Sequence, residues 1–186
     1  MGLLEQQSEL GNIELYYGDE TQVSEQAYVP YGWQFDGEDV HIKACKGAKM
    51  NYFGLLSRNN QFFYQASQKS INAEFVLKFL DEFSLKIKQL TVIVLDNASI
   101  HKSKKVSNCL DEWQKRGLYI FFLPPYSPQL NIIERLWKEV KEGWIRPKDY
   151  IKEDDLFYAV NRILQAVGKE LKIKFKKYNE SKTNCG

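Results

Sequence analysis

Thr91–Leu95 (TVIVL) is an unbroken run of β-favouring residues with no polar alternation. Successive side chains of a strand point to opposite faces, so a run of this kind predicts a strand covered on both sides. Residues 118–123 (LYIFFL) repeat the signal, halted by Pro124-Pro125. Between them, residues 100–116 read as a helix closed by Gly117. Two covered strands joined through a helix form a parallel crossover, which commits the chain to an α/β architecture.

The remaining segments extend that frame. Residues 12–18 (NIELYYG) predict a first strand ending at Asp19-Glu20, followed by a polar loop to Asp39 containing Pro30, Gly32 and Gly37. Residues 49–57 and 61–66 predict a hairpin turning at Arg58-Asn59-Asn60, since Asn tolerates the left-handed turn conformation. Residues 72–88, 131–144 and 153–167 carry apolar residues at helical spacing. The order predicts a mixed sheet with helices on both faces in one domain, residues 1–168. Residues 169–186 read as a basic C-terminal tail, with a short strand at Leu171, Ile173 and Phe175 as the other reading.

The length of 186 residues suits a single core. No apolar run nears the roughly 18 residues of a membrane span, and residues 1–10 lack a leader pattern, so no membrane partner and a cytoplasmic location are expected. Cys45, Cys109 and Cys185 are too scattered for a zinc site, which matches a reducing compartment. His41 and Cys45 have no further ligand beside them. The net charge of +2 conceals a division: residues 1–42 hold nine acids and no base, while the rest sets 26 bases against 15 acids, a net of +11. A basic remainder of this size suits a polyanionic partner, or else a solvated surface whose charges happen to segregate. Neither G-x-x-x-x-G-K-[ST] nor G-x-S-x-G occurs, which removes the usual nucleotidase and hydrolase motifs.

Three acids stand out by place. Asp19 ends the first predicted strand, Asp96 ends a central one, and Glu134 opens a helix just after another. Functional groups of open α/β sheets gather beyond the carboxyl ends of strands, and three carboxylates there suit hard divalent cations. Each acid also has an ordinary structural reading. Asp19 fits a turn, Asp96-Asn97 fits a helix cap, and Asn131-Ile132-Ile133-Glu134 fits a capping box with Asn131 at N-cap. Spacing alone leaves these alternatives open.

The words around the acids are more specific. The stretches 92–101 (VIVLDNASIH) and 123–137 (LPPYSPQLNIIERLW), with 37 residues between Asp96 and Glu134, resemble the DDE transposase domain of mariner-type insertion sequences. Asp19-Glu20, followed by the Trp33 region, matches the family's first acid, and the resemblance covers roughly residues 12–148. It implies a ribonuclease-H-like fold and a DDE polynucleotidyl transferase. In that reading Asp19, Asp96 and Glu134 are catalytic and ligate two Mg²⁺ ions, with Mn²⁺ as substitute. The implied reaction cuts the ends of an element and transfers its 3′-hydroxyl to target DNA, typically at TA.

Further residues follow from placement. Trp137, Lys138 and Lys141 share the helical face of Glu134, and His101, Lys102 and Lys105 begin the helix after Asp96. All are candidate DNA contacts, against the ordinary reading of a core Trp, a structural His and solvated lysines. The family's helix-turn-helix module is expected from an upstream reading frame, since it is absent from this chain. A dimer in the synaptic complex and association with the nucleoid when bound to DNA are expected on family grounds. The competing readings are a non-catalytic DNA-binding remnant and a standalone ribonuclease-H-like nuclease.

Overall fold

The protein was analysed as a computed structural model, which describes residues 1–25, 47–96, 104–125 and 127–175. In chain order the elements are α1 (Gly2–Glu9), β1 (Glu14–Ser24), β2 (Lys49–Ser57), β3 (Phe62–Ser67), α2 (Ala73–Ser84), β4 (Thr91–Leu95), α3 (Lys104–Lys115), β5 (Leu118–Phe122), α4 (Ile133–Lys138) and α5 (Glu153–Ala166). The strands form one sheet ordered β3-β2-β1-β4-β5. β2 is antiparallel to β1 and β3, whereas β1, β4 and β5 run parallel.

Local chemistry accounts for most boundaries. Asn60 takes the hairpin turn at φ 63°, and Gly117 closes α3 at φ 88°. Asn72 caps α2 by accepting from the Phe75 amide at 2.9 Å. Val76, Leu80 and Phe83 of α2 join Trp113 of α3 in packing on Phe53, Leu55, Ile93 and Leu95. The opposite face of the sheet carries Tyr17, Tyr52, Val92 and Val94, covered by Leu136 and Trp137 of α4 and Leu156, Val160 and Leu164 of α5. The mixed sheet with helices on both faces is the ribonuclease-H-like arrangement that the resemblance implies.

Several details depart from the sequence reading. β1 does not stop at Gly18; it runs on to Ser24 because β2 continues the ladder to the Lys49–Ser24 pair. Asp19 is therefore inside a strand, at the point where pairing with β4 ends at Gly18 and Leu95. β5 is an edge strand whose Tyr119 and Phe121 are exposed, so its apolar run is covered on one face only. The helix expected over 131–144 is α-helical only to Lys138 and then π-helical over Glu139–Trp144. The Ile145 amide bonds the Val140 carbonyl, and both side chains are buried. Residues five apart would lie about 140° apart around an α-helix, so the wider turn lets both face the core.

Both chain ends are tied down where described. Glu5 of α1, only 2% exposed, accepts from the Tyr17 hydroxyl and pairs with Arg58 Nε at 2.5 Å. This helix has no strong signal in the sequence; the buried carboxylate explains its docking. Ile173 is buried, and Asn60 bonds both its amide (2.7 Å) and its carbonyl (3.1 Å). The segment expected to fray from residue 169 is thus held against the hairpin turn as far as Phe175, whose ring lies under Arg58.

Gly54 of β2 faces α4. A Cβ there would meet Phe62 at 2.8 Å and Trp137 at 3.1 Å. Gly54→Val is expected to lower stability by about 1–3 kcal/mol through overpacking against α4. Urea unfolding checks this, and a smaller loss for Gly54→Ala is the accompanying expectation.

Candidate active site

Asp19 lies opposite Gly54 in the β1–β2 ladder. It shares strand parity with Leu15, Tyr17 and Val23, which face α4 and α5. Asp96 follows β4 directly and continues the parity of Val92 and Val94 on that same face. Since Gly18 is in register with Leu95, Asp19 and Asp96 are adjacent at the edge where β1 and β4 part. Glu134 is in the first turn of α4, which lies across this face.

Electrostatics ties the three together. The Asp19 carboxyl is pushed up to about 8, first by burial and then by the charges of Glu134, Glu20 and Asp96, against a lowering backbone hydrogen bond. Lys141 is half-buried nearby. Burial lowers its pKa, while the charges of Glu134 and Asp19 oppose that change. Among the described residues, no three acidic, histidine or cysteine side chains converge closely enough to form a ready metal-binding group. The donor chemistry nevertheless fits a hard divalent cation: all-oxygen ligands, crowded like charges and a carboxylate held far above its ordinary range.

A groove of about 450 Å³ is lined by Asp19 and Glu134, though not by Asp96, together with Gln22, Asn51, Ser70 and Lys141. Gln22 Nε2 donates to Asn51 Oδ1 at 3.1 Å, and Asn51 Nδ2 donates to the Lys69 carbonyl at 3.1 Å, which fixes the amide floor.

The capping box, the ordinary alternative for residues 131–134, does not form at the start of α4. Asn131 is buried, and its Nδ2 donates at 3.0 Å to the carbonyl of Gly18 instead. A cap needs the Asn131 oxygen to accept from α4, and that oxygen has no partner among the described residues. Trp137, a candidate DNA contact, is 3% exposed, meets Phe62 edge to face at 5.9 Å and packs in the core, while also lining the groove. Lys138 is exposed and 3.7 Å from Glu142. His101 and Lys102 lie outside the described residues, as does the side chain of Lys105. Sequence reasoning missed Gly54 and Asn51, which carry no local motif, and it gave Asn131 the wrong partner.

A raised carboxyl has a definite consequence. With a folded value near 8 against an ordinary value of about 3.9, the folded state holds the Asp19 proton more tightly than the unfolded chain does. The associated stability is complete below about pH 4 and is lost as pH rises through 8. Asp19→Asn is therefore expected to melt close to wild type at pH 4 and a few degrees higher at pH 8, both with chelator present. Equal midpoints across this range would contradict the assignment.

Comparison with known proteins gives the family and the fold. Residues 14–157 match the family model described as DDE superfamily endonuclease. The insertion element IS630 uncharacterized 39 kDa protein of Shigella sonnei is 28% identical over 158 residues, covering 82% of this chain and 45% of that protein. Among solved structures, the Mos1 transposase paired-end complex with left transposon end superposes with TM-score 0.64 at 14% identity, covering 88% of this chain and 52% of that one. A Mos1 mariner paired-end complex with Mn gives 0.59 at 13% identity over the same shares. The catalytic core domain of BIV integrase gives 0.53 at 14% identity, covering 86% of both chains. The chain thus spans about half the length of the IS630 and Mos1 proteins.

Proposed function

This chain belongs to the DDE superfamily endonucleases, and we propose that it is the catalytic domain that cuts and joins DNA during transposition of an insertion sequence, a reading supported by its similarity to the IS630 insertion-element protein and its fold likeness to Mos1 transposase. The observation that carries this reading is placement: strand register sets Asp19 beside Asp96, and α4 lies across the same face with Glu134 lining one groove with Asp19. Clustered carboxylates oppose folding unless a function compensates for them.

Asp19, Asp96 and Glu134 are the residues that would hold Mg²⁺, with Mn²⁺ as substitute and two ions per site. Such ions, when bound, activate the attacking oxygen and stabilise the leaving oxygen of a phosphodiester displacement. The chain's own part is orientation and charge. Asp19 and Asp96 are fixed by the sheet, and Glu134 is carried to them by α4. Lys141 offers a cation beside the acids, where a phosphate of the bound strand would meet it, and Lys138 adds a second on the exposed side.

DNA is the proposed partner, as element ends and as target, the latter at TA steps. The presence of transposon-end DNA in the Mos1 complex supports the first of these. A dimer in the synaptic complex completes the reading. A second reading, a DNA-binding remnant without catalysis, is favoured by one observation: the acids do not converge into a ready metal group among the described residues.

Mn²⁺ calorimetry on the wild-type chain and on Glu134→Gln separates the two. The enzyme reading expects binding by wild type and at least tenfold weaker binding by a folded Glu134→Gln. A folded wild type with no Mn²⁺ uptake, with or without element-end DNA, would favour the remnant. For Lys141→Ala, weaker DNA binding and a salt-dependence slope smaller by about one are expected. Binding measured across a salt series checks it.

A further inference from the structure

We propose that Asn131 is the positioning residue of the acid cluster: its side-chain amide, bonded to the Gly18 carbonyl, sets where Glu134 stands along β1 relative to Asp19. The inference rests on the metal-dependent reading above. Gly18 directly precedes Asp19, and Asn131 lies one short turn before Glu134, whose amide bonds the Asn131 carbonyl at 3.3 Å. Both carboxylates are thus suspended by short, hydrogen-bonded backbone from a single 3.0 Å contact between residues 113 positions apart.

That contact is an unusual use of a buried side chain. Asn131 is 4% exposed, and its Oδ1 has no partner among the described residues. An apolar residue would remove the unpaired Oδ1 but would also take from the Gly18 carbonyl the donor it now has, so on stability alone the two effects oppose each other. What asparagine adds is direction. Trp137 over Gly54 fixes how closely α4 approaches the sheet, but apolar packing is non-directional and permits sliding along the strand. A linear hydrogen bond to one named carbonyl removes that freedom. Carboxylates that share ions need such control, since outer contacts that orient ligands typically govern affinity by 10–100-fold.

The test uses the full chain with Asn131→Leu, which keeps the branched outline at a larger volume and removes the donor, and Asn131→Ala should the leucine variant not fold. Three quantities are read: thermal midpoint, Mn²⁺ dissociation constant by calorimetry with the Mn²⁺ paramagnetic resonance signal, and hydrogen exchange over residues 131–138. The expected result is a midpoint within a few degrees of wild type, a dissociation constant roughly 10–100-fold higher, and faster exchange at the start of α4. Mn²⁺ affinity within twofold of wild type in a folded variant overturns the proposal. So does affinity that falls only in step with a collapsed midpoint in both variants. If wild type binds no Mn²⁺, the metal reading fails separately, and exchange decides: unchanged protection over residues 131–138 overturns the positioning role, and lost protection upholds it.

Discussion

Glu134 reaches the sheet because α4 can lie close to it, and α4 can lie close because residue 54 has no side chain. Trp137, one helical turn from Glu134, fills the space that a Cβ at Gly54 would contest, and Gly54 is directly opposite Asp19 in the ladder. The contact is apolar and buried, so it sets a distance without setting a direction. The polar bond from Asn131 to Gly18 supplies the direction at the other end of the same turn. Without this docking, the two acids that β1 and β4 bring together would have no third.

The sheet and the helix contribute unequally to the electrostatics. Strand register alone puts Asp19 beside Asp96, both half-buried, and burial is the first cause of the raised Asp19 carboxyl. The protein relieves this only in part: Lys141 enters the groove, itself half-buried and made less basic by that burial. The site is thus an unfavourable arrangement held in place by a well-packed surround. Tyr17 and Tyr52 are fully buried beneath α4 and α5, and on the far face Trp113 packs beneath α2. Rigid packing around a strained cluster is what a catalytic edge requires.

Legibility followed the range of the interactions involved. Thr91–Leu95 was readable to the residue, because a strand enclosed on both faces has to be apolar throughout. The hairpin turn and the closing of α3 were readable because Asn60 and Gly117 occupy positive φ, a local demand. The extension of β1 through Asp19 was not readable, since only pairing with β2 makes residues 19–24 a strand. Nor was α1, whose reason for docking is a carboxylate that meets Tyr17 and Arg58 across the fold. At Asn131 the local pattern pointed to a cap, and a contact to residue 18 prevailed over it.

By itself the sequence determined the α/β class and the enclosed strand Thr91–Leu95 and singled out three acids, for these rest on periodicity, local turn chemistry and a long specific motif. Tertiary structure decided what those acids are to one another. The rise of the Asp19 carboxyl, the entry of Lys141 into the groove, the loss of Trp137 to the core and the turn of Asn131 toward Gly18 all arise from contacts between distant segments. Such contacts carry no periodicity along the chain. They exist only once Gly54 has let α4 settle on the sheet.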